Sequence, residues 1–97
     1  MRVEWDPAKD RANRAKHGLG FDEARVLFEG DAEYLVIYDE EHSDDEDRFL
    51  AIGPIGRGVV VIAHTEPGED VIRIISARMA TRIEEELFHE HVGGPKR

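Results

Sequence analysis

The sequence predicts an α+β fold: an antiparallel β-sheet with two N-terminal helices and a C-terminal helix. Three observations carry that expectation. Apolar residues recur at helical spacing before residue 30, four short β-branched runs follow between residues 34 and 77, and a capping-box pattern begins at Thr81. Ninety-seven residues can build one hydrophobic core but not two, so a single domain over 1–97 is expected.

Met1 to Trp5 alternates apolar and polar side chains and suits a short strand. Asp6-Pro7 then supplies an N-cap and a first-turn proline, and Gly18 is placed to end the helix they begin. Ala8, Ala12 and Ala15 give that helix a small apolar face, which is expected to be buried. Phe21, Ala24, Leu27 and Phe28 form a second amphipathic stripe, with Asp22 and Glu23 in the first turn, where the helix dipole favours anions, and Gly30 as the stop. The strand runs are Tyr34 to Tyr38, Arg48 to Gly53, Val59 to Thr65 and Val71 to Ala77. Pro67-Gly68 suits the middle of a type II turn between the last two. Thr81-Arg82-Ile83-Glu84 opens a last helix with Ile83, Leu87 and Phe88 inward, and Gly93 to Arg97 reads as a frayed tail. The helices are expected together on one face of the sheet.

Composition excludes several classes. No apolar run approaches the roughly 20 residues of a spanning helix, and Met1 to Asp10 lacks the apolar stretch of a signal peptide, so the chain reads as cytoplasmic with no membrane partner. The absence of cysteine removes disulfides, thiolate nucleophiles and cysteine-ligated zinc. There is no glutamine and one asparagine, Asn13. The formal charge of −9 argues against bulk attraction to nucleic acid, yet seven of the twenty-two acidic residues lie in Asp39 to Asp47, and the rest of the chain is near balance. Lys9, Arg11, Arg14 and Lys16 crowd one helical segment as a candidate basic stripe, which could equally be a solvated helix face. The acidic run lacks the glycine and terminal glutamate of a calcium loop and reads as an exposed loop; no metal or cofactor is called for.

The densest chemistry lies on the last hairpin, where His64-Thr65-Glu66 leaves one strand and Arg73 to Arg78 occupies the next. If Glu66 pairs with Glu69 across the Pro-Gly turn, His64 falls opposite Val71 and Ile62 opposite Arg73, gathering His64, Glu66 and Arg73 on one face. A one-residue slip would send Arg73 to the other face. Arg78, an odd number of residues from Arg73, joins it only if the strand ends or bulges near Ser76. Histidine, carboxylate and arginine are what metal-independent RNA cleavage uses: a base takes the 2′-hydroxyl proton, that oxygen attacks phosphorus, and guanidinium groups neutralise the phosphate. The same residues would also serve as an ordinary hairpin tip with a salt bridge. His17 suits the C-terminus of the first helix, His89 and His91 diverge on the last, and His42 sits in the acidic loop.

These residues together resemble the BrnT family. The resemblance rests on Trp5-Asp6-Pro7 with Lys9, Asn13 and Lys16-His17-Gly18, then Phe21, Glu23-Ala24 and Phe28. It continues through Glu46, Arg48, Ile52-Gly53 and His64-Thr65-Glu66 to Arg73-Ile74-Ile75-Ser76-Ala77-Arg78 and Ala80. It implies a RelE-like fold and a ribonuclease toxin of a type II toxin-antitoxin pair, partnered by a BrnA-like ribbon-helix-helix antitoxin and contacting DNA only through it. The family's patterned polar residues fall on Lys16, His17, Arg48, His64, Glu66, Arg73 and Arg78. On the chemistry above, His64 or Glu66 is the expected base, Arg73, Arg78 and Arg48 the phosphate ligands, and Lys16 and His17 further substrate contacts. Pro67, Met79 and the acidic last helix depart from the family pattern, and they motivate a rival expectation: a catalytically weakened module that captures the antitoxin and tunes repression. Exposed strand edges also permit a homodimer.

Overall fold

Five strands hydrogen-bond in the order β1-β5-β4-β3-β2 in the computed structural model, which describes residues 1–93. Along the chain these are β1 (Arg2–Trp5), β2 (Leu35–Tyr38), β3 (Arg48–Ile55), β4 (Gly58–Gly68) and β5 (Val71–Met79). The helices are α1 (Pro7–His17), α2 (Phe21–Ala24), α3 (Val26–Glu29) and α4 (Arg82–Gly93), with a 3-10 turn at Glu40–His42. The α+β class stands, with two refinements. β1 runs parallel to β5, so the sheet is mixed, and the second helical stripe is broken at Arg25 into α2 and α3. The frayed-tail expectation meets Gly93 still in α4; residues 94–97 lie outside the described residues.

Local chemistry sets most element ends. The Asp6 carboxylate accepts from the Ala8 N–H, Pro7 fills the first turn, and Gly18 takes φ 69°, a left-handed cap that glycine adopts without strain. At α4, Thr81 Oγ1 accepts from the Glu84 N–H while the Glu84 carboxylate accepts from the Thr81 N–H, the reciprocal capping box. The last hairpin departs from expectation. β4 continues through Pro67 to Gly68, and the chain reverses at Glu69-Asp70, with Asp70 at φ 65°. Aspartate tolerates that region better than most residues.

The sheet is covered on both faces, not one. Leu19, Phe21, Leu27 and Phe28 from the α1–α3 region pack on Val60, Ile62, Ile72 and Ile74. Phe88 of α4 packs on Ile52, Val59 and Val61, which alternate with those residues and so face the other way. Two expected faces need correction. On α4, Phe88 turns inward as expected, with Val92, but Ile83 and Leu87 are exposed. Ala8, Ala12 and Ala15 of α1 are likewise exposed, and the buried residue of α1 is Asn13.

The reason lies at the edge of β5. β1 pairs with β5 only through Ile74, leaving Ala77 without a strand partner on that side. The Asn13 amide takes that place: its oxygen accepts from the Ala77 N–H at 3.1 Å, and its nitrogen donates to the carbonyls of Ala77 and Leu19, both at 2.8 Å. Helix α1 thus rides the sheet edge on a polar plug. Asn13→Ala should strand three buried backbone groups and lower stability by about 3 kcal/mol in urea unfolding. Asn13→Asp, which cannot donate to either carbonyl, should be similarly damaging near neutral pH.

Candidate functional site

Two bulges decide which residues meet. Between Ala63↔Ser76 and His64↔Ile74, strand β5 carries one extra residue, Ile75; between Thr65↔Arg73 and Gly68↔Val71, β4 carries the compensating extra residue. A bulge of one residue moves everything beyond it to the opposite face. His64 consequently lies against Ile74 on the face covered by α1–α3, while Arg73 lies against Thr65 on the face that α4 covers in part. The expected register, with His64 opposite Val71 and sharing a face with Arg73, is overturned. Moving the turn by two residues alone would have kept them together; the Ile75 bulge separates them. The same bulge brings Arg78 to the face of Arg73, as the odd spacing required.

His64 is sealed, with 1% of its surface exposed. Its ring stacks on Phe49 at 5.7 Å and meets Phe28 edge-on at 5.1 Å. Nε2 lies 3.3 Å from a Glu66 carboxylate oxygen, and Nδ1 is buried without a partner. Burial pushes the His64 pKa below its ordinary value, against the opposing pull of Glu66, so the ring is neutral at pH 7. The neutral tautomer that donates from Nε2 to Glu66 explains the contact. Glu66 itself is half-exposed at the end of β4. Nearby, burial and the Glu66 charge both raise the Tyr34 phenol pKa.

On the opposite face a cross-strand row runs Glu4 on β1, Arg73 on β5, Thr65 on β4 and Arg48 on β3, each in register with the next. Arg73 donates to Glu4 through Nε at 2.9 Å and approaches it through a terminal nitrogen at 2.8 Å, and this hydrogen bond holds the Glu4 carboxyl below its usual range. The Thr65 hydroxyl is buried without a partner, as is Arg48 Nε. Beside them the loop before β3 encloses a cleft of about 380 Å³, lined by Glu41, Asp44, Asp45 and Glu46 together with Arg48 and Thr65. Arg78 is committed elsewhere: its two terminal nitrogens grip both oxygens of Glu84 at 2.8 and 2.9 Å, fastening the start of α4 to β5. Lys16 and His17 sit apart from the row, lining with Lys9 a shallow depression of about 200 Å³ beside Ile75 and Ser76.

The structure therefore pairs His64 with Glu66, aligns Arg73 with Arg48, clamps Arg78, and leaves Lys16 and His17 at the sheet edge. Glu4 and Thr65 were not singled out as candidates. Strand alternation marks Glu4 as the polar side of β1, and Thr65 stands inside the His-Thr-Glu trio, but only the pairing of β1 with β5 joins them. Among the described residues no trio of His, Asp and Glu side chains is disposed to hold a metal, and no helix is long and apolar enough to cross a membrane.

The Glu84–Arg78 clamp makes a pH prediction. Its hydrogen bonds from Arg78 lower the Glu84 pKa from 4.5 to about 2. A carboxyl depressed on folding stabilises the fold above its unfolded pKa, and that contribution is lost as pH falls through the folded value. Glu84→Gln should therefore be less stable than the parent above pH 4.5, and the gap in urea midpoint should close as pH approaches 2.

The family model for "Ribonuclease toxin, BrnT, of type II toxin-antitoxin system" matches residues 5–84. The chain is also similar to the crystal structure of the Brucella abortus ribonuclease toxin BrnT, with 28% identity and a TM-score of 0.63, covering 84% of this chain and 99% of that one. No curated protein sequence matches.

Proposed function

Since the chain belongs to the BrnT family of ribonuclease toxins of type II toxin-antitoxin systems, we propose that it cleaves RNA by 2′-hydroxyl attack and that the row from Glu4 to Arg48 is where it does so. The observation that carries this reading is the placement of two guanidinium groups, a hydroxyl and a carboxylate side by side on four adjacent strands. Arg73 and Arg48 match phosphate oxygens and neutralise the charge that builds in the pentavalent state, the role a metal otherwise fills. Glu4 is the proton acceptor: it takes the 2′-hydroxyl proton as that oxygen bonds to phosphorus, the bond from phosphorus to the 5′-oxygen breaks to leave a 2′,3′-cyclic phosphate, and the departing 5′-oxygen takes a proton from water. While Arg73 holds Glu4, its basicity is suppressed; when a phosphate takes over that guanidinium, the carboxylate becomes a better base beside the 2′-hydroxyl. His64, buried and neutral, supports the end of β4 through Glu66 and takes no proton. Lys16 and His17 extend contact along the backbone at the sheet edge, and Arg78 sets the position of α4.

The partner is a BrnA-like ribbon-helix-helix antitoxin, through which alone the pair reaches DNA, and the site of action is the cytoplasm. With a charge of −9, the toxin meets that partner through apolar surface and local basic stripes. Ile83 and Leu87 on α4 and Val36 and Tyr38 on the outermost strand supply apolar surface. The free edge of β2 is where a second copy would add.

A specific observation favours the weaker reading, a toxin fold kept for antitoxin capture: Arg73 and Arg78 are each already neutralised by a glutamate. Expression alone from a tight promoter separates the two. An active toxin arrests growth with loss of RNA; Arg48→Ala with Arg73→Ala abolishes this, and Glu4→Gln slows cleavage by about 10²–10³-fold while RNA is still bound. His64→Phe, which preserves the ring packing, leaves cleavage in place. Harmless expression of the parent chain, with tight antitoxin binding, would overturn the enzyme in favour of the module.

A further inference from the structure

The cleft between the acidic loop and β3 has a property its charge alone does not explain. Four carboxylates, one guanidinium and the His42 ring, itself paired with Asp39, line the same 380 Å³ space, yet among the described residues Arg48 forms no ion pair and the side chains of Glu41, Asp44, Asp45 and Glu46 make no hydrogen bond. Most other arginines on the surface are paired, as Arg14, Arg57, Arg73, Arg78 and Arg82 show. Independently of the acidic residues, Thr65 in the wall of this cleft is only 2% exposed and its hydroxyl has no partner, and Arg48 beside it buries Nε with no acceptor. A buried polar group without a partner costs about 1–3 kcal/mol, which a ligand supplying that partner would recover.

Such a ligand must carry an anionic group for Arg48 and neutral N–H donors for the carboxylates. We infer that the cleft is a nucleotide subsite that selects guanine, with the phosphate on Arg48 and Thr65 and the base edge on the loop carboxylates. This rests on the proposed ribonuclease reading, since Arg48 and Thr65 end the row that holds the RNA backbone. Guanine is singled out by its hydrogen-bonding edge. Its N1–H and exocyclic amine are adjacent donors that one carboxylate accepts together. Adenine and cytosine each set an acceptor nitrogen beside their amine, and uracil flanks its single N–H with two carbonyls, so each would face a carboxylate with a repelling lone pair. A nucleobase in place of a second phosphate also suits the loop's negative field, which disfavours further anions. The acidic run, the feature that most argues against RNA binding by bulk charge, becomes the element that reads the base.

The test is titration of the full chain with the four nucleoside 3′-monophosphates, followed by calorimetry and by NMR of the Thr65 and Arg48 amides. GMP should bind at least about tenfold more tightly than AMP, CMP or UMP, and Arg48→Met should weaken all four alike. Replacing the loop acids by amides (Glu41→Gln, Asp44→Asn, Asp45→Asn and Glu46→Gln) should erase the guanine preference and shift it towards AMP, because an amide offers the donor and acceptor pair that adenine matches. These loop residues are exposed, so the variant folds. Equal binding of the four nucleotides, no binding, or a guanine preference that survives the amide replacements would overturn the inference, as would tighter binding of a lysine-rich peptide than of any nucleotide. Guanine-selective binding by a chain that cleaves no RNA would sink the ribonuclease reading and leave the subsite standing. Cleavage without selectivity would do the reverse.

Discussion

The amide of Asn13 is the contact on which the arrangement of this molecule depends. A sheet edge that ends inside a protein leaves backbone donors and acceptors that must be satisfied, and here β1 abandons β5 after Ile74. One side chain carries both an acceptor and donors in the spacing of a peptide unit, and it closes the ladder at Ala77 while tying down Leu19. With α1 pinned there, Leu19 and Phe21 enter the core, and α2 and α3 lie over the sheet beside Ile62 and Ile74. The alanines of α1 face water because the residue this helix buries against β5 is the hydrogen-bonded Asn13.

That polar plug sits directly beside the Ile75 bulge, and the two features belong together. The bulge lets β5 keep Ile72, Ile74 and Ala77 in the helix-covered core although their spacing changes from two to three residues. It also divides the polar residues of the hairpin between the faces. Aromatic rings enclose His64 on one side, and arginines collect on the other. A single inserted residue therefore determines that the imidazole and the guanidinium groups lie on opposite faces of the sheet.

Charge is managed locally in this acidic chain. Each of Arg73 and Arg78 faces a carboxylate that fixes its direction, and Glu84 does this while also capping α4. Pairs of this kind contribute little to stability when exposed, but they hold side chains in one geometry. Arg48, beside the acids of the loop before β3, forms no ion pair among the described residues.

The local signals were legible in the sequence. Asp6-Pro7, Gly18 and Thr81 with Glu84 fixed helix ends because capping involves residues within a few positions of one another. The β-branched runs located the strands, and the distributed pattern from Trp5 to Ala80 pointed to the family that the family model matches. What the sequence could not decide was any relation that depends on pairing partners far along the chain. The turn moved from Pro67-Gly68 to Glu69-Asp70, a bulge entered at Ile75, α4 crossed to the other face, and Glu4 came to lie beside Arg73 across sixty-nine residues. Side chains alternate along a strand, so one residue of register reverses every face. Residue identity therefore determined which chemistry this protein holds, and tertiary pairing alone decided which of those groups share a surface.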